Sequence, residues 1–566
     1  MTAADSRSAS QPPTAPAQPR AGRLLALCGA FAALYYSMYP PADLDLLAFV
    51  ALIPLLILIE SLPSGWRLLR WAWFAGLLAF SACFVWARHV SWAGVFGCGG
   101  FCGMYVALFA VLLRPVAPRP SFAGWAFCSA AWAGTEYLRG VLLLGGIPWF
   151  LLGHTQYKVV PVMQITDITG VYGLSFLLAG INYLLYWGGS AFRRGPTASG
   201  RGFLAACVLQ VLLTAGAVAY GFAVTPPAYP PDGPRIAVVQ ANIPQDLKEE
   251  ALIEWGRRQG VVPDVPLDPE DYSRFTSGVV REIFDKHRRM SLAIQEDYDL
   301  LAWPETMSPY PLGEFAENAE VLGDMARRLD RDFLVGALTT APLGPRRYRT
   351  SNSAYLFDRT GTVQARYDKM RLVPIGETVP GLHFIPFLEE VVLALSSIHS
   401  VPDLIPGDRM TIFRAGQHRF GVLICFDVIF PDLYREWTRR GAEYLVTLSN
   451  DGWFRDGAEL EQTLIICQFG CAFSKTGMVR AMNTGISSVI DPYGRAEVLV
   501  GEGGKTKEVE GVLVRRVHLR RGTTVYMQVG DLFAQLCASV AVGGWLGSLL
   551  GARRRVLAEA GLVVSR

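Results

Sequence analysis

Long apolar runs follow one another through the N-terminal part of the chain, at Leu24–Tyr39, Leu44–Glu60, Leu68–Arg88, Trp92–Leu113, Ser121–Leu138, Val171–Ser190 and Phe203–Val224. Each approaches the ~20 apolar residues that a membrane-spanning helix needs, so seven spans are predicted. The charges between them alternate. Arg20 and Arg23, Arg67 and Arg70, Arg114 and Arg119, and Arg193, Arg194 and Arg201 fall in every second connection, while the others hold only Arg88, Arg139 and Lys158. Cytoplasmic loops carry the excess of Lys and Arg, which puts the N-terminus inside and everything after Val224 outside. From Pro234 to about Arg521 the pattern changes to short apolar stretches separated by amphipathic ones. RIAVVQANI, DLLAWPE, RDFLVGALTT, SNSAYLFD, HRFGVLICFD and AEYLVTLSN read as strands, and Ser277–Ile294, Glu314–Leu329 and Leu433–Gly441 as helices, an α/β alternation. A last apolar run, Phe533–Gly551, meets Arg553, Arg554 and Arg555 and predicts an eighth span that returns the C-terminus to the inside.

The predicted organisation is a disordered tail at 1–22, a seven-helix membrane domain at 23–224, a stiff Pro-rich linker at 225–233 (TPPAYPPDG), an extracytoplasmic domain at 234–521 and a C-terminal transmembrane helix at 533–551. The tail is rich in Ser, Ala, Pro and Gln, and the apolar run after it leads into further spans, so it reads as a first anchor and not as a cleaved signal. Composition agrees: 51% of the 566 residues are hydrophobic and only 18% charged, a membrane-protein balance. The net charge of +3 gives no basic stripe that would suggest nucleic acid. The ten cysteines lack paired CxxC spacing, and most lie in apolar runs where a thiol is a small buried hydrophobe.

Three short segments of the α/β domain each put a reactive side chain near a strand end: Trp303-Pro304-Glu305, Tyr367-Asp368-Lys369 and Ile424-Cys425-Phe426-Asp427. Together a thiol, a carboxylate and an ammonium make a nucleophilic site, with the sulfur attacking, the carboxylate taking its proton and the ammonium steadying an oxyanion. Singly they are more commonly a rim carboxylate, a surface lysine and a core thiol.

The ordered series WPE, YDKMRLVPIGETVP, ICFD, SNDGWF and VRAMNTGISSVIDPYG resembles the nitrilase-superfamily domain of the apolipoprotein N-acyltransferases. The likeness extends to GIPWFLLGHTQYKVVPVMQITDITGVYGLSF in the membrane part and GDLFAQLC at the last helix. It implies a polytopic α-helical membrane domain joined to an α/β nitrilase-like αββα sandwich. It also implies Glu305 as general base, Lys369 as oxyanion-stabilising cation, Cys425 as nucleophile and Glu377 as a supporting acid that orients Lys369 or the base. The implied reaction moves an acyl chain from a membrane phospholipid, through a cysteine thioester, to the α-amine of a diacylglyceryl lipoprotein. It needs no metal or organic cofactor and is carried out by a monomer in a bacterial inner membrane, with a periplasmic catalytic domain and cytoplasmic termini.

Two departures stand out. The family's Tyr-Glu pair after the cysteine is here Phe426-Asp427, which loses a phenol and shortens the carboxylate arm, so a looser supporting shell is expected. The stretch before VRAMNTG, usually charged, reads FGCAFSKTG. Two alternatives follow: a membrane-anchored amidase that transfers the acyl group to water, and a silent paralog that binds lipoproteins. The seven-helix anchor and the apolar segment Thr378–Asp408, expected to be a membrane-facing lid around Phe384 and Phe387, argue against the first. Retention of Glu305, Lys369 and Cys425 together argues against the second.

Three features are set aside. GEGGKT at Gly501–Thr506 lacks the first glycine of a phosphate loop and reads as a hairpin loop. Cys467 and Cys471 are spaced for one helix face with no histidine nearby in sequence, and His154 reads as a polar interface residue and not a ligand.

Overall fold

The computed structural model describes residues 19–116, 120–143, 145–194, 200–245, 279–308, 311–313, 316–344, 347–374, 376–378 and 404–559. The expected lid, apart from Thr378 and 404–408, lies outside the described residues, as does most of the expected tail.

The membrane part comprises α1 (Ala21–Ser37), α2 (Ile53–Ser61), α3 (Trp66–Cys83), α4 (Trp92–Val116), α5 (Phe122–Val141), the single turns α6 (Val160–Met163) and α7 (Thr166–Thr169), α8 (Val171–Arg194) and α9 (Gly200–Val224). Among the described residues four helices, over Trp92–Val116, Val171–Phe192, Gly200–Val224 and Leu532–Arg554, are by themselves long and apolar enough to cross a membrane.

The single helix expected over Leu44–Glu60 is corrected. Those residues form a 3-10 turn, Asp45–Phe49, and then the nine-residue α2. At 1.5 Å per residue α2 is about 14 Å long, half a bilayer core. The break has a local cause and a distant one. Pro54 at its start has no N–H to donate, and the buried Asn182 of α8 captures two backbone groups there, accepting from Leu52 N at 2.8 Å and donating to Ala48 O at 2.8 Å. Backbone groups freed from a helix at membrane depth need such partners.

The broken segment still runs from one end of the bundle to the other. At its start Asp43 and Asp45 pair with Lys158, at 2.9 and 3.0 Å, in the loop between α5 and α6. At its finish Leu62 O accepts from Arg114 Nε, at the opposite end of α4, at 2.8 Å. Small residues let the helices approach: a Cβ on Gly76 would lie 2.7 Å from Gly103 Cα, bringing α3 against α4.

The second domain holds two sheets. The first contains β1 (Arg235–Gln240), β2 (Leu300–Trp303), β3 (Leu312–Gly313), β4 (Asp332–Gly344), β5 (Arg347–Phe357) and β6 (Val363–Asp368). It is closed on its far side by β13 (Gly511–Arg516), in the order β13-β1-β2-β4-β5-β6, with β3 beside β4. The second contains β7 (Phe413–Ala415), β8 (His418–Ile424), β9 (Tyr444–Ser449), β10 (Met478–Met482), β11 (Ser488–Ile490) and β12 (Ala496–Val498), in the order β12-β11-β10-β9-β8-β7. In each sheet the middle three strands, β1-β2-β4 and β8-β9-β10, are parallel. Strands β9 and β10 are buried along their whole length, as parallel strands covered on both faces must be.

Outer helices complete the αββα sandwich: α10 (Val279–Leu292) and α11 (Ala316–Leu329) belong to the first sheet, and α12 (Pro431–Arg439) and α13 (Glu459–Ser474) to the second. The short α14 (Val525–Val529) leads into α15 (Leu532–Glu559), which returns to the bundle beside α5. The fold class expected from the sequence is the one observed. One loop is corrected: Gly501–Thr506 carries the chain from β12 in one sheet to β13 in the other, so it is a sheet-crossing loop and not a hairpin.

Candidate active site

The parallel strands β2, β8 and β9 end at one place, the rim where open α/β sheets collect functional groups. Trp303 closes β2, fully buried, and the chain turns through Pro304 to deliver Glu305, which is 6% exposed. Gly336 of β4 passes directly behind this turn. A Cβ there would lie 2.4 Å from Pro304 O and 2.6 Å from Glu305 Cα, so no larger residue fits without moving the acid.

Glu305 is held by both of its oxygens. Oε1 accepts from Asn352 Nδ2 at 2.6 Å and lies 3.3 Å from Lys369 Nζ, and Oε2 accepts from the backbone N–H of Asn450 at 2.8 Å. Lys369 follows β6 and is 1% exposed. Its ammonium donates to Glu377 Oε1 at 2.8 Å as well as to Glu305. Glu377 Oε2 in turn accepts from Val373 N at 2.9 Å, which closes the short loop between the lysine and the acid. The backbone around Leu404–Gly407 is stitched to the same place, Leu404 N donating to Glu377 O at 3.0 Å and Gly407 N to Lys369 O at 2.9 Å.

Cys425 is the first residue past β8, with a left-handed φ of 48° that turns its side chain out of the strand's line. Such a φ is uncommon for a side-chain-bearing residue and is kept where the surroundings demand it. The surroundings are built by Asp427. Its buried carboxylate accepts from Ile424 N at 3.0 Å and Tyr367 Oη at 2.8 Å through Oδ2, and from Arg371 N at 2.9 Å through Oδ1. Those bonds tie the cysteine turn to the residues on both sides of Lys369. The looser shell expected from the shortened arm is not what is observed, because the Tyr367 phenol reaches the aspartate. Phe426 is half-buried, edge-on to Phe430 at 5.2 Å.

Electrostatics follow from burial and from these neighbours. Burial, and then the negative charge of Glu305, push the Cys425 thiol well above its ordinary range, and the opposing pull of Lys369 does not cancel them. Burial works against the Lys369 ammonium, but attraction to Cys425 once ionised, and to Glu305 and Glu377, outweighs it and holds the lysine well above its ordinary range. The resting pair is therefore a neutral thiol beside a charged ammonium. Asp427 is pushed up to about 6 by burial, against the hydrogen bonds it accepts and the charge of Lys369.

All six residues singled out from the sequence lie in this neighbourhood. Three others were missed: Asn352, whose amide serves both carboxylates; Asn450, whose N–H orients Glu305; and Tyr367, which was noted as part of a segment but not as a partner of Asp427. The pair Ser351-Asn352 before Lys369 and the run Ser449-Asn450-Asp451 at the end of β9 were the available signals. Cys467 and Cys471 are buried inside α13, and His154 packs against Phe469 at 5.2 Å between the two domains.

Residues 31–184 match the family described as the apolipoprotein N-acyltransferase N-terminal domain, and residues 235–523 match the carbon-nitrogen hydrolases. A protein of Geobacter metallireducens named apolipoprotein N-acyltransferase is 31% identical over 540 residues, 92% of this chain and 94% of its own length. One of the same name from Chlorobaculum tepidum is 26% identical and is covered over 96% of its length, against 94% of this chain. Among solved structures, an amidase from Nesterenkonia sp. AN1 is 17% identical with a TM-score of 0.32, over 53% of this chain and 97% of the amidase.

Proposed function

This chain belongs to the apolipoprotein N-acyltransferase family, an acyltransferase with transmembrane helices and a nitrilase-superfamily domain, and from that premise we propose how its own residues carry out the transfer. Cys425 is the nucleophile, Glu305 the base, Lys369 the cation that steadies the oxyanion, and Glu377 with Asn352 the pair that holds base and cation in register. The acyl donor is a membrane phospholipid and the acceptor is the α-amine of a diacylglyceryl-cysteine on a lipoprotein.

In the first half-reaction Glu305 takes the Cys425 proton as sulfur attacks the ester carbonyl. The carbon–oxygen bond then breaks, Glu305 returns the proton to the departing oxygen, and a lysophospholipid leaves the acyl chain as a thioester. In the second, the neutral α-amine attacks that thioester. Its proton passes through Glu305 to the departing sulfur, and an amide is released. Base catalysis of this kind contributes roughly 10²–10⁴-fold, and a preorganised ammonium beside the developing oxyanion acts in a site shielded from water.

The observation that carries this reading is the buried Glu305–Lys369–Glu377 array set against the Cys425 turn. Its siting on a membrane bundle suits substrates that are both lipids, since neither chain has to be drawn into water. The arginine asymmetry of the loops supports an outer-face location for the catalytic domain and inner-face termini.

The test is incubation of the purified protein with phospholipid alone, followed by intact mass and peptide mapping. One acyl mass, removable by hydroxylamine, is expected on Cys425, absent in Cys425→Ala and slower to form by roughly 10²–10⁴-fold in Glu305→Gln. Addition of a diacylglyceryl peptide should then move that mass to the peptide. An acyl group on Cys467 or Cys471 instead would overturn the assignment.

A further inference from the structure

Helix α13 lies between the catalytic turn and the membrane bundle, and it is tied to the bundle near both ends. Near its start, Gln462 Oε1 accepts from the indoles of Trp86, at 3.1 Å, and Trp149, at 3.2 Å, while its Nε2 donates to Pro40 O at 3.2 Å. Those three partners come from three separate segments of the membrane domain.

Just past its other end stands Lys475. Its ammonium donates to Gln164 Oε1 at 2.6 Å and lies 3.3 Å from Asp167 Oδ2, in the turns that precede α8. It also donates to Ala472 O at 3.1 Å and sits over the Tyr493 ring at 5.0 Å. Asp167 is fixed from a further element, because Tyr220 of α9 donates to both of its oxygens at 2.9 and 3.0 Å. Both charges of the pair are nearly shut from solvent, at 12% and 7% side-chain exposure.

The backbone at Lys475 makes the side chain's role conspicuous. Its φ of 50° and ψ of 40° are left-handed, the helix-ending conformation that glycine takes without steric cost. A lysine here forgoes that advantage and spends its ammonium on the other domain. The same helix α13 also packs against the turn that begins at Cys425, and Thr463 Oγ1 accepts from the buried Arg480 of β10 at 3.3 Å. Whatever fixes α13 therefore fixes the cysteine turn relative to the bundle.

We propose that Lys475, through its buried pair with Asp167, is a positioning residue that sets the height and tilt at which Cys425 meets membrane-borne acyl donors. The catalytic domain is joined covalently to the bundle only through the linker after α9 and through α14, and it would rock about those two joints if one end of α13 came loose. A lipid ester is held at a fixed depth, so a small misplacement of the sulfur is costly. A small water-soluble ester diffuses to Cys425 in any orientation of the domain and is indifferent to rocking. The inference rests on the acyl-transfer reading of the same site.

The experiment compares the parent with Lys475→Gly, Lys475→Met, Asp167→Asn and the Lys475→Met/Asp167→Asn double variant in proteoliposomes. Acylation of Cys425 is followed with bilayer phospholipid and, separately, with a short-chain p-nitrophenyl ester in the surrounding buffer. Each single variant should slow acylation from lipid by at least about tenfold while leaving the soluble ester within about twofold of the parent. The double variant should be no worse than the worse single, since both remove one interaction. Lys475→Gly gives the helix end its preferred residue, so a lipid-specific defect there separates positioning from folding. Equal loss with both donors, no loss with lipid, or additive losses in the double variant would overturn the proposal. A parent that forms no thioester with either donor would instead sink the acyl-transfer reading on which it rests.

Discussion

Replacing Asp427 with asparagine should stabilise the protein, relative to its parent, more at pH 7.5 than at pH 4.5. The native carboxyl keeps its proton up to about pH 6, whereas its ordinary value is 3.8, and the first cause is burial. Between those values the native state binds more protons than the unfolded chain, so stability falls as pH rises through the window. From 3.8 to about 6 corresponds to roughly 3 kcal/mol in full, of which about 2 kcal/mol falls between pH 4.5 and 7.5. Asparagine does not titrate, and it leaves one of the donors Ile424 N, Tyr367 Oη and Arg371 N facing an NH₂ instead of an acceptor. That mismatch costs about 1–3 kcal/mol, but equally at both pH values, so it cancels in the comparison. The assay is thermal unfolding of parent and variant in detergent at the two pH values, followed by tryptophan fluorescence. At roughly 1–2 °C per kcal/mol for a chain of this size, the variant-minus-parent Tm difference should rise by about 2–4 °C from pH 4.5 to 7.5. An unchanged difference would refute the reasoning, and a fall would mean that the hydrogen bonds outweigh burial and hold the carboxyl below its ordinary range.

Asn352→Leu keeps the volume but removes the amide shared by Glu305 and Glu377, bonds to charged groups worth about 1.5–3 kcal/mol. Single-turnover acylation of Cys425 should slow by roughly 10–100-fold, and a rate within twofold of the parent would remove Asn352 from the site. Gly134→Val should lower the thermal midpoint by the equivalent of about 1–3 kcal/mol, because a Cβ there lies 2.7 Å from Ala538 N in the helix packed against α5. Gly216→Val, with nothing within 4 Å, is the control and should not. Reporters fused after Tyr229 and after Arg555 should lie on opposite sides of the membrane, and the same side for both would break the topology drawn from the loop arginines.

The membrane helices were legible because their signal is one-dimensional, a run of apolar residues of fixed length. The second run shows its limit. Nothing in Leu44–Glu60 announces that Asn182, far away in the chain, takes over the bonds of Leu52 and Ala48 and so permits a 3-10 turn and a short helix in place of one span. The sandwich was legible from most of its buried parallel strands, but β3, β7, β10, β11, β12 and β13 were missed. They have few residues and little apolar periodicity, and their place is set by pairing partners such as β1, which aligns Arg235 with Arg516. The loop at Gly501–Thr506 was misread for the same reason. Two short strands flanking a glycine-rich turn look like a hairpin whether they pair with each other or belong to different sheets.

At the candidate site the residues proposed to react could be picked out from sequence because each sits in a distinctive segment, whereas the groups that bond to them are ordinary. Asn352 is one asparagine inside a strand, and the bond from Asn450 to Glu305 is a backbone N–H that every residue but proline possesses. The change at Phe426-Asp427 illustrates why reading a local departure as a local loss fails. A shorter carboxylate would leave the cysteine turn slack if its partners were fixed in space, but those partners are Tyr367, Ile424 N and Arg371 N, two of them on the chain that carries Lys369. That chain and the turn close on the same carboxylate. Asp427 joins the lysine and cysteine segments from a buried position, and that burial raises its carboxyl toward 6. The substitution is thus expressed as an electrostatic property of a tight site, and its signature is the pH dependence of stability, not a gap in the packing.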